Sequence, residues 1–137
     1  MTARWMLAAS LVGALVGCEP GEDVEDTAAT AEIDCSARRP ALTYDNYGEA
    51  FMIENCAGCH SSLLPLDLRE GAPPGVELNT YADVVFWAER IEARALGEAP
   101  DMPPGGGLSD GERDRLHEWL TCEVYVDAAR LDDENNQ

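Results

Sequence analysis

Residues 56–60 read Cys-Ala-Gly-Cys-His, and this pentapeptide constrains the chain more than any other feature. Two thiols three positions apart, followed directly by an imidazole, form the pattern by which a c-type haem is attached to protein. The thiols of Cys56 and Cys59 would add to the two vinyl groups of the porphyrin and become thioethers. The imidazole of His60 would then lie beside the iron as its proximal ligand. The motif therefore predicts one covalently bound haem c as cofactor.

Three other interpretations of the motif stay open at this point. A zinc site needs four nitrogen or sulfur ligands, and the remaining cysteines and His117 are poorly spaced to complete one. A redox-active Cys-x-x-Cys of the thioredoxin kind belongs beside a βαβ unit, which this sequence does not indicate. The last interpretation is a pair of buried cysteines that precedes a surface histidine by chance.

The first seventeen residues have the features of an export signal. Arg4 supplies a positive charge, and residues 5–16 form an apolar run that is too short to span a bilayer. Residues 15–18, Leu-Val-Gly-Cys, resemble the bacterial lipoprotein signal, in which the cysteine after the cleavage point receives a diacylglycerol. Residues 1–17 are thus predicted to be a lipoprotein signal peptide and Cys18 the lipidation site. The alternative is an ordinary signal peptide with an unmodified Cys18.

Composition divides the rest of the chain into three parts. Residues 18–34 contain seven acidic side chains and no basic one, so they are predicted to be a flexible acidic tether. Residues 35–127 have the size of one small domain, whose core would need help from a cofactor or a disulfide. Residues 128–137 are predicted to be an acidic tail, which frays after Arg130. Export would place the domain on the periplasmic side of a bacterial cell envelope, anchored by lipid to the inner or the outer membrane.

The net charge limits the classes of partner. The chain has 27 acidic and 9 basic side chains, which gives a formal net charge of −18. Such a charge argues against binding to nucleic acid and against direct adsorption to anionic lipid. It favours a redox partner protein with a basic docking surface, or it serves solubility alone. No nucleophile–base pair, phosphate loop or carboxylate dyad is recognisable, so the sequence predicts neither an enzyme nor a small-molecule substrate.

Apolar spacing and capping residues predict three helices and no strand, which makes the expected fold class all-α. The first helix runs over residues 44–55 and leads directly into the haem motif. The expected N-caps are Thr43, Thr80 and Ser109, the last two with Asp83 and Glu112 as capping-box partners. The expected buried faces are Tyr44, Tyr47, Gly48, Phe51 and Asn55, then Tyr81, Val84, Ala88, Ile91 and Ala95, then Leu116, Trp119, Leu120 and Val124.

Residues 61–76 contain four leucines, three prolines and two glycines, and are predicted to form a loop around the haem edge. The leucines are the expected apolar contacts of the ring: Leu63, Leu64, Leu66 and Leu68. Trp87, on the second helix, is predicted to pack between helices rather than to serve the functional site.

An iron that only carries electrons needs a sixth ligand. Met52 lies one helical turn before Cys56, on the proximal side of the ring. Met102 lies in a proline-rich segment forty-two residues after His60, with a helix between them, so it can reach the other face. A thioether raises the reduction potential relative to a second imidazole. His117 is the alternative ligand, and Met102 as a core side chain is a further alternative.

The order of these features resembles the class I cytochrome c family over roughly residues 44–122. The likeness rests on the attachment motif after a helix, on Met-Pro-Pro at 102–104 and on the capped helix that contains Trp119. It implies a small cytochrome c fold, with three main helices packed around one covalently attached haem. It also implies that the first and last helices cross near the haem, Gly48 and Phe51 meeting Leu116 and Trp119.

The same resemblance implies how the iron is held. His60 and Met102 would be the axial ligands, and the carbonyl of Pro73 or Pro74 would orient the imidazole of His60. The implied function is one-electron transfer by a membrane-tethered, single-haem carrier. Two alternatives stay open, a haem-based sensor or peroxidase-like enzyme, and an electron-entry subunit of a larger oxidoreductase.

Cys35 and Cys122 remain after lipid and haem have taken the other three cysteines, and they depart from the general family pattern. They bracket the predicted domain, and an exported protein meets an oxidising compartment. A disulfide between them is therefore predicted. The alternative is two free or intermolecular thiols.

Overall fold

The computed structural model describes residues 32–136, and these residues alone are described below. They form four α-helices, namely α1 (Glu49–Asn55), α2 (Tyr81–Ala95), α3 (Asp110–Trp119) and α4 (Tyr125–Asn135). Shorter helical turns are Tyr44–Gly48 and Leu120–Val124, both π-helical, and Leu66–Leu68, a 3-10 turn. No strand occurs in this part of the chain, so the all-α class is confirmed. The predicted signal peptide, Cys18 and most of the tether lie outside the described residues.

The helices join into three continuous rods. The π-turn Tyr44–Gly48 runs into α1, because both Gly48 and Glu49 have right-handed helical backbone. The π-turn Leu120–Val124 connects α3 to α4 in the same way. The first rod therefore covers residues 44–55, the second is α2, and the last rod covers residues 110–135. No helix among residues 32–136 has the length and apolar character needed to cross a membrane.

The last rod is longer than the sequence predicted. Residues 131–135 continue α4 as helix, so the prediction that the tail frays after Arg130 is wrong. An ion pair supports this end of the rod, since a guanidinium nitrogen of Arg130 lies 2.8 Å from a carboxylate oxygen of Asp127, one turn earlier. The hydroxyl of Tyr81 also donates to the other Asp127 oxygen at 2.8 Å and ties α4 to α2. The sequence shows only that this segment is acidic, which is typical of a solvated tail, and it does not show these contacts.

The rods begin where the sequence predicted, because the expected caps form. The hydroxyl oxygens of Thr43 and Thr80 each accept a hydrogen bond from the backbone N–H three residues later. The carboxylate of Asp83 accepts the N–H of Thr80 at 2.9 Å, and the carboxylate of Glu112 accepts the N–H of Ser109 at 2.9 Å. These reciprocal bonds satisfy N–H groups that a helix start leaves without partners.

The core consists of the faces that the apolar spacing predicted. Trp119 lies at its centre with no exposed surface, and the rings of Tyr44 and Tyr47 pack on it with centroids 6.4 and 5.8 Å away. The buried hydrophobic residues of the described chain are Phe51, Met52, Leu78, Val84, Ala88, Ala95, Leu116, Trp119, Leu120 and Val124.

The first and last rods cross at Gly48. A Cβ atom at this position would lie 2.2 Å from Cζ2 of Trp119, so the indole rests on bare backbone that only glycine provides. The indole N–H donates to the carboxylate of Glu123 at 2.6 Å, and the same oxygen accepts the N–H of Tyr44 at 2.8 Å. The contact of Gly48 with Trp119 that the sequence predicted is thus present, with Glu123 as an additional link.

A disulfide fixes the segment before the first rod to the last rod. It joins Cys35 to Cys122 across a sequence separation of 87, with their Cα atoms 5.5 Å apart. Three residues after Cys35, the guanidinium of Arg38 donates to the carboxylate of Glu118 at 2.7 Å. In the chain-entropy model, closing a loop of this length contributes roughly 4–5 kcal/mol to stability. The disulfide thus ties residue 35 to the last rod.

The helix crossing predicts the effect of a single methyl group. Gly48→Ala is expected to lower the free energy of unfolding by about 1–3 kcal/mol, because the added carbon would overlap the Trp119 ring. Gly111→Ala is the matched control, since nothing lies within 4 Å of a Cβ at that helical position. It is expected to be neutral or to add up to about 1 kcal/mol through helix propensity. Urea unfolding measures both, and equal midpoints would contradict the crossing.

Candidate functional site

A cavity of about 340 Å³ lies among the three rods and the loops that connect them. This volume is in the usual range for the binding site of a small molecule or cofactor. Its apolar wall includes Phe51, Val76, Leu78, Trp87, Ile91, Ala95, Leu108 and Leu116. Cys56, Cys59, His60 and Met102 also border it, so the structure brings the four predicted haem residues to one cavity. Trp87, predicted only to pack between helices, borders the cavity as well.

The attachment motif forms a tight turn at the end of α1. The N–H groups of Cys56 and Ala57 both donate to the carbonyl of Met52, at 2.9 and 2.8 Å. The carbonyl of Cys56 in turn accepts the N–H groups of Cys59 and His60, at 3.1 and 2.9 Å. This double turn reverses the chain within five residues. It explains how a helix can present two thiols and an imidazole to the same cavity.

The hydrogen bond of His60 defines which ring nitrogen is available. Its Nδ1 lies 2.9 Å from the carbonyl oxygen of Val76. A carbonyl can only accept, so Nδ1 carries a proton in this bond, and in the neutral ring the lone pair is then on Nε2. That tautomer is the one in which Nε2 can bind a metal ion, with the Nδ1–H held by an outer partner.

The orienting carbonyl is not the one that the sequence predicted. The expectation that Pro73 or Pro74 would orient His60 is wrong, because Nδ1 of the imidazole contacts the carbonyl of Val76. The carbonyl of Pro73 instead accepts the N–H of Val76 at 3.4 Å and a guanidinium N–H of Arg69 at 3.2 Å. This turn carries the chain two residues beyond the prolines, where the Val76 carbonyl meets the imidazole.

A buried arginine organises the long loop, residues 61–79. The side chain of Arg69 is only 3% exposed. Its Nε donates to the carbonyl of Cys59 at 3.1 Å, and one Nη donates to the carboxylate of Glu77 at 2.9 Å. The other Nη donates to the carbonyls of Pro73 and Val76, each at 3.2 Å. The hydrogen bond from Arg69 holds the pKa of Glu77 below its ordinary value. One guanidinium thus connects the attachment motif to the far end of the loop.

The leucines of this loop do not serve the cavity, so that prediction is wrong. Leu63, Leu66 and Leu68 are 87%, 66% and 57% exposed, and none of the four leucines borders the cavity. The physical reason is that the carbonyls and Arg69 occupy the interior of the loop, which leaves the leucines outside. Residues 70–73, with Val76 and Leu78, line the cavity in their place.

Sequence reasoning missed Arg69, although a signal was present. It is the only basic side chain between Arg39 and Arg90, in a strongly acidic chain. A single cation among many acidic side chains does not form a basic surface that could bind a polyanion, so a structural role is the better expectation. Arginine is the residue best suited to such a role, because its guanidinium can donate several hydrogen bonds in a buried position. Its position in a loop with three prolines and two glycines, where carbonyls lack helical partners, adds to that signal.

The segment that carries Met102 is held against α2. The backbone N–H groups of Asp101 and Met102 both donate to the carbonyl of Arg94, at 3.0 and 3.1 Å, and the guanidinium of Arg94 pairs with Asp101. Arg113 donates to the carbonyl of Ala95 at 2.6 Å and connects the last rod to the same end of α2. Backbone bonds therefore hold the main chain at Met102 against the end of α2.

The alternative iron ligand lies elsewhere. His117 is 42% exposed, its Nε2 is 3.8 Å from the Glu92 carboxylate, and it is not among the residues that border the cavity. Two cations do border it, Arg90 and Arg94 of α2. They give one edge of an otherwise apolar cavity the charge that would attract carboxylates.

The thiol of Cys56 is in an environment that suppresses its ionisation. Burial, with a smaller effect from Cys59, raises the pKa of the Cys56 thiol to about 12. A thiol with such a pKa is protonated at neutral pH, whereas a redox-active Cys-x-x-Cys depends on a thiolate. This disfavours the thioredoxin-like interpretation. Among residues 32–136, no three His, Cys, Asp or Glu side chains are grouped as the ligands of a metal ion would be.

Comparisons of the chain with protein-family models, with curated proteins and with solved structures give no significant match. The function of the cavity is therefore inferred from the residues that border it.

The geometry of the long loop predicts which leucine matters. Leu78→Ala is expected to lower the free energy of unfolding by about 2–4 kcal/mol, because Leu78 is 7% exposed and belongs to both core and cavity wall. Leu66→Ala is the matched control, since Leu66 is 66% exposed, and a change within about 0.5 kcal/mol is expected. Chemical unfolding of both variants measures this. Losses of similar size would show that Leu66 packs as the sequence suggested.

Proposed function

We propose that this protein is a one-electron carrier, a single-haem c-type cytochrome whose iron is held by His60 and Met102. The observation that carries the proposal is the hydrogen bond of His60 together with the position of its ring at the cavity. Its Nδ1–H is bound by the Val76 carbonyl, while the ring borders the same cavity as two thiols and one thioether. This combination gives a porphyrin two attachment points and gives its iron two ligands of the type found in electron carriers.

The donor set fits a covalent haem. Cys56 and Cys59 provide the two sulfurs for thioether bonds, and the apolar wall is suited to a porphyrin face. Arg90 and Arg94 provide cations for the two carboxylates at the porphyrin edge. A haem bound here supplies an iron that cycles between the ferric and ferrous states.

The protein residues have separate roles in this proposal. Cys56 and Cys59 would hold the ring through thioether bonds, and Nε2 of His60 and the sulfur of Met102 would be the ligands of its iron. The backbone bonds of residues 101 and 102 to the carbonyl of Arg94 hold the main chain at Met102 beside the cavity. The buried side chains around the cavity keep water away, so that little rearranges when the charge of the iron changes.

The arrangement of the rods also supports a cytochrome c fold. Three rods surround the cavity, and the first and last rods cross at the contact of Gly48 with Trp119. This is the arrangement that the resemblance to class I cytochromes c implies. We infer the fold from this crossing and from the position of the attachment motif at the end of the first rod.

Electron transfer is favoured over the alternatives by the Met102 segment. A haem sensor or a peroxidase-like enzyme needs an iron that external ligands can reach. Two backbone hydrogen bonds to Arg94 hold Met102 at the cavity, which favours a closed iron. An electron-entry subunit would use the same site, and a partner with a basic surface suits the net charge of −18 in either case.

Anchoring in the bacterial envelope is a second part of the proposal. It rests on the sequence of residues 1–18, with Cys18 carrying the lipid and residues 19–34 acting as a spacer. The disulfide at Cys35 supports an oxidising compartment such as the periplasm.

Removal of the attachment thiols tests covalent haem binding. The double variant Cys56→Ala, Cys59→Ala is expected to lose all haem that survives denaturing gel electrophoresis, because no sulfur remains to form a thioether. The double variant Cys35→Ala, Cys122→Ala is the matched control, and it should retain stained haem despite lower stability. A band of wild-type intensity in the first variant would refute the attachment.

Replacement of the methionine ligand tests the sixth position. Met102→Leu is expected to keep haem attached, to bind added imidazole or cyanide, and to favour the ferric state at least tenfold more, which is about 59 mV for one electron. Met52→Leu is the matched control, since Met52 is a core side chain with 2% exposure, and its potential should stay close to that of the wild type. Equal potentials for the two variants, without ligand binding, would rule out Met102.

Replacement of the lipidation cysteine tests the anchor. Wild-type protein is expected to partition into the detergent phase, because two or more acyl chains hold a protein on a membrane where one exchanges. Cys18→Ser should enter the aqueous phase or remain as uncleaved precursor, with its haem domain intact. Mass spectrometry of the N-terminal peptide gives the modification directly. A soluble wild-type protein with an unmodified Cys18 would show that the carrier diffuses freely.

A further inference from the structure

The carbonyl oxygen of Val76 has two donors. It accepts from Nδ1–H of His60 at 2.9 Å and from a guanidinium N–H of Arg69 at 3.2 Å. The same guanidinium donates to the carbonyl of Cys59, the residue directly before His60. Arg69 therefore contacts two backbone groups next to the imidazole: the carbonyl of the residue that precedes His60, and the carbonyl that accepts from its ring.

Little else holds the Val76 carbonyl in position. The preceding residues are Pro73 and Pro74, which have no N–H, and Gly75, which has a φ of +88°. The N–H of Val76 itself makes only a long bond to the carbonyl of Pro73, at 3.4 Å, and two residues later the N–H of Leu78 donates to the carbonyl of His60 at 2.8 Å. Because no helix or strand constrains residues 69–79, the orientation of the carbonyl depends on side-chain bonds.

We propose that Arg69 is a positioning residue for the iron ligand, because its guanidinium holds the Val76 carbonyl against Nδ1–H of His60. This inference rests on the proposed function, in which Nε2 of His60 binds haem iron. An axial imidazole that keeps its outer partner has a fixed ring plane and a fixed tautomer. Without Arg69, the carbonyl leaves and the Nδ1 proton becomes exposed to water.

Arginine is suited to this task for a geometric reason. Its planar fork reaches three backbone carbonyls and the carboxylate of Glu77 at once. The carboxylate balances the buried charge, and it also accepts the N–H of Gly75 at 3.0 Å. A lysine ammonium is a compact donor that cannot span the same acceptors. A lysine at position 69 would therefore keep the positive charge but lose the forked set of donors.

The exchange of the His60 Nδ1 proton with water measures this role directly. In the reduced, haem-loaded protein, NMR is expected to show exchange at least tenfold faster in Arg69→Met than in the wild type. Arg130→Met is the matched control, because it removes one cation from an exposed ion pair on α4. Its exchange rate should equal that of the wild type. Equal rates for Arg69→Met and the wild type would overturn the proposal.

Exchange of the backbone N–H of Leu78, which donates to the carbonyl of His60, serves as an internal reference. It distinguishes a positioning role of Arg69 from a general loosening of the loop. If Arg69 positions the imidazole, the Nδ1 proton of His60 accelerates by a larger factor than this N–H does. Equal factors for the two protons would overturn the positioning role and leave only a structural one.

A conservative variant keeps the test decisive if Arg69→Met does not fold. Arg69→Lys retains the charge and is expected to exchange the His60 proton at least threefold faster than the wild type. Wild-type exchange in Arg69→Lys would show that the fork is not required and would overturn the proposal.

Failure of this inference and failure of the proposed function are distinguishable. Wild-type protein that shows no covalent haem on a denaturing gel overturns the proposed function and this inference with it. Wild-type protein that does show covalent haem, together with unchanged proton exchange in Arg69→Met, overturns only the role of Arg69.

Discussion

The contact of the Trp119 indole with bare backbone at Gly48 is the constraint on which the rest of the structure depends. It determines how closely the first and last rods approach, and the cavity lies beside that crossing, with walls from both rods. Glu123 strengthens the contact by accepting from the indole and from the start of the first rod. The disulfide between Cys35 and Cys122 also joins the segment before the first rod to the last rod.

Within this frame, the site is organised by polar groups where an apolar loop was expected. Arg69 is buried with its charge balanced by Glu77, and it satisfies carbonyls that no helix or strand pairs. A buried cation is tolerated only when its donors are used, so this loop has few conformations available to it. This arrangement holds the Val76 carbonyl in place, and the carbonyl in turn accepts from Nδ1 of His60.

The sequence predicts best those features that depend on residues close together in the chain, and it predicts less well those that depend on distant residues. Thr80 and Asp83 cap a helix through neighbours three residues apart, so the sequence predicts them directly. The orienting carbonyl of Val76 depends on Arg69, seven residues away, and no periodicity reveals such a bond. The helical end at residues 128–135 depends on Tyr81, which is distant in sequence. The grouping of Cys56, Cys59 and His60 at one cavity was predictable because these residues are neighbours in the sequence.

The central claim is that His60 and Met102 hold the iron of a haem bound to Cys56 and Cys59. The most direct test is the visible spectrum of purified full-length protein, oxidised and then reduced, from a host that attaches haem. The account predicts a thioether-to-iron charge-transfer absorption in the ferric protein and, in the ferrous protein, the absorption bands of a low-spin haem bound by two thioethers. A spectrum without haem, or with haem that acid and organic solvent extract from the protein, would contradict it.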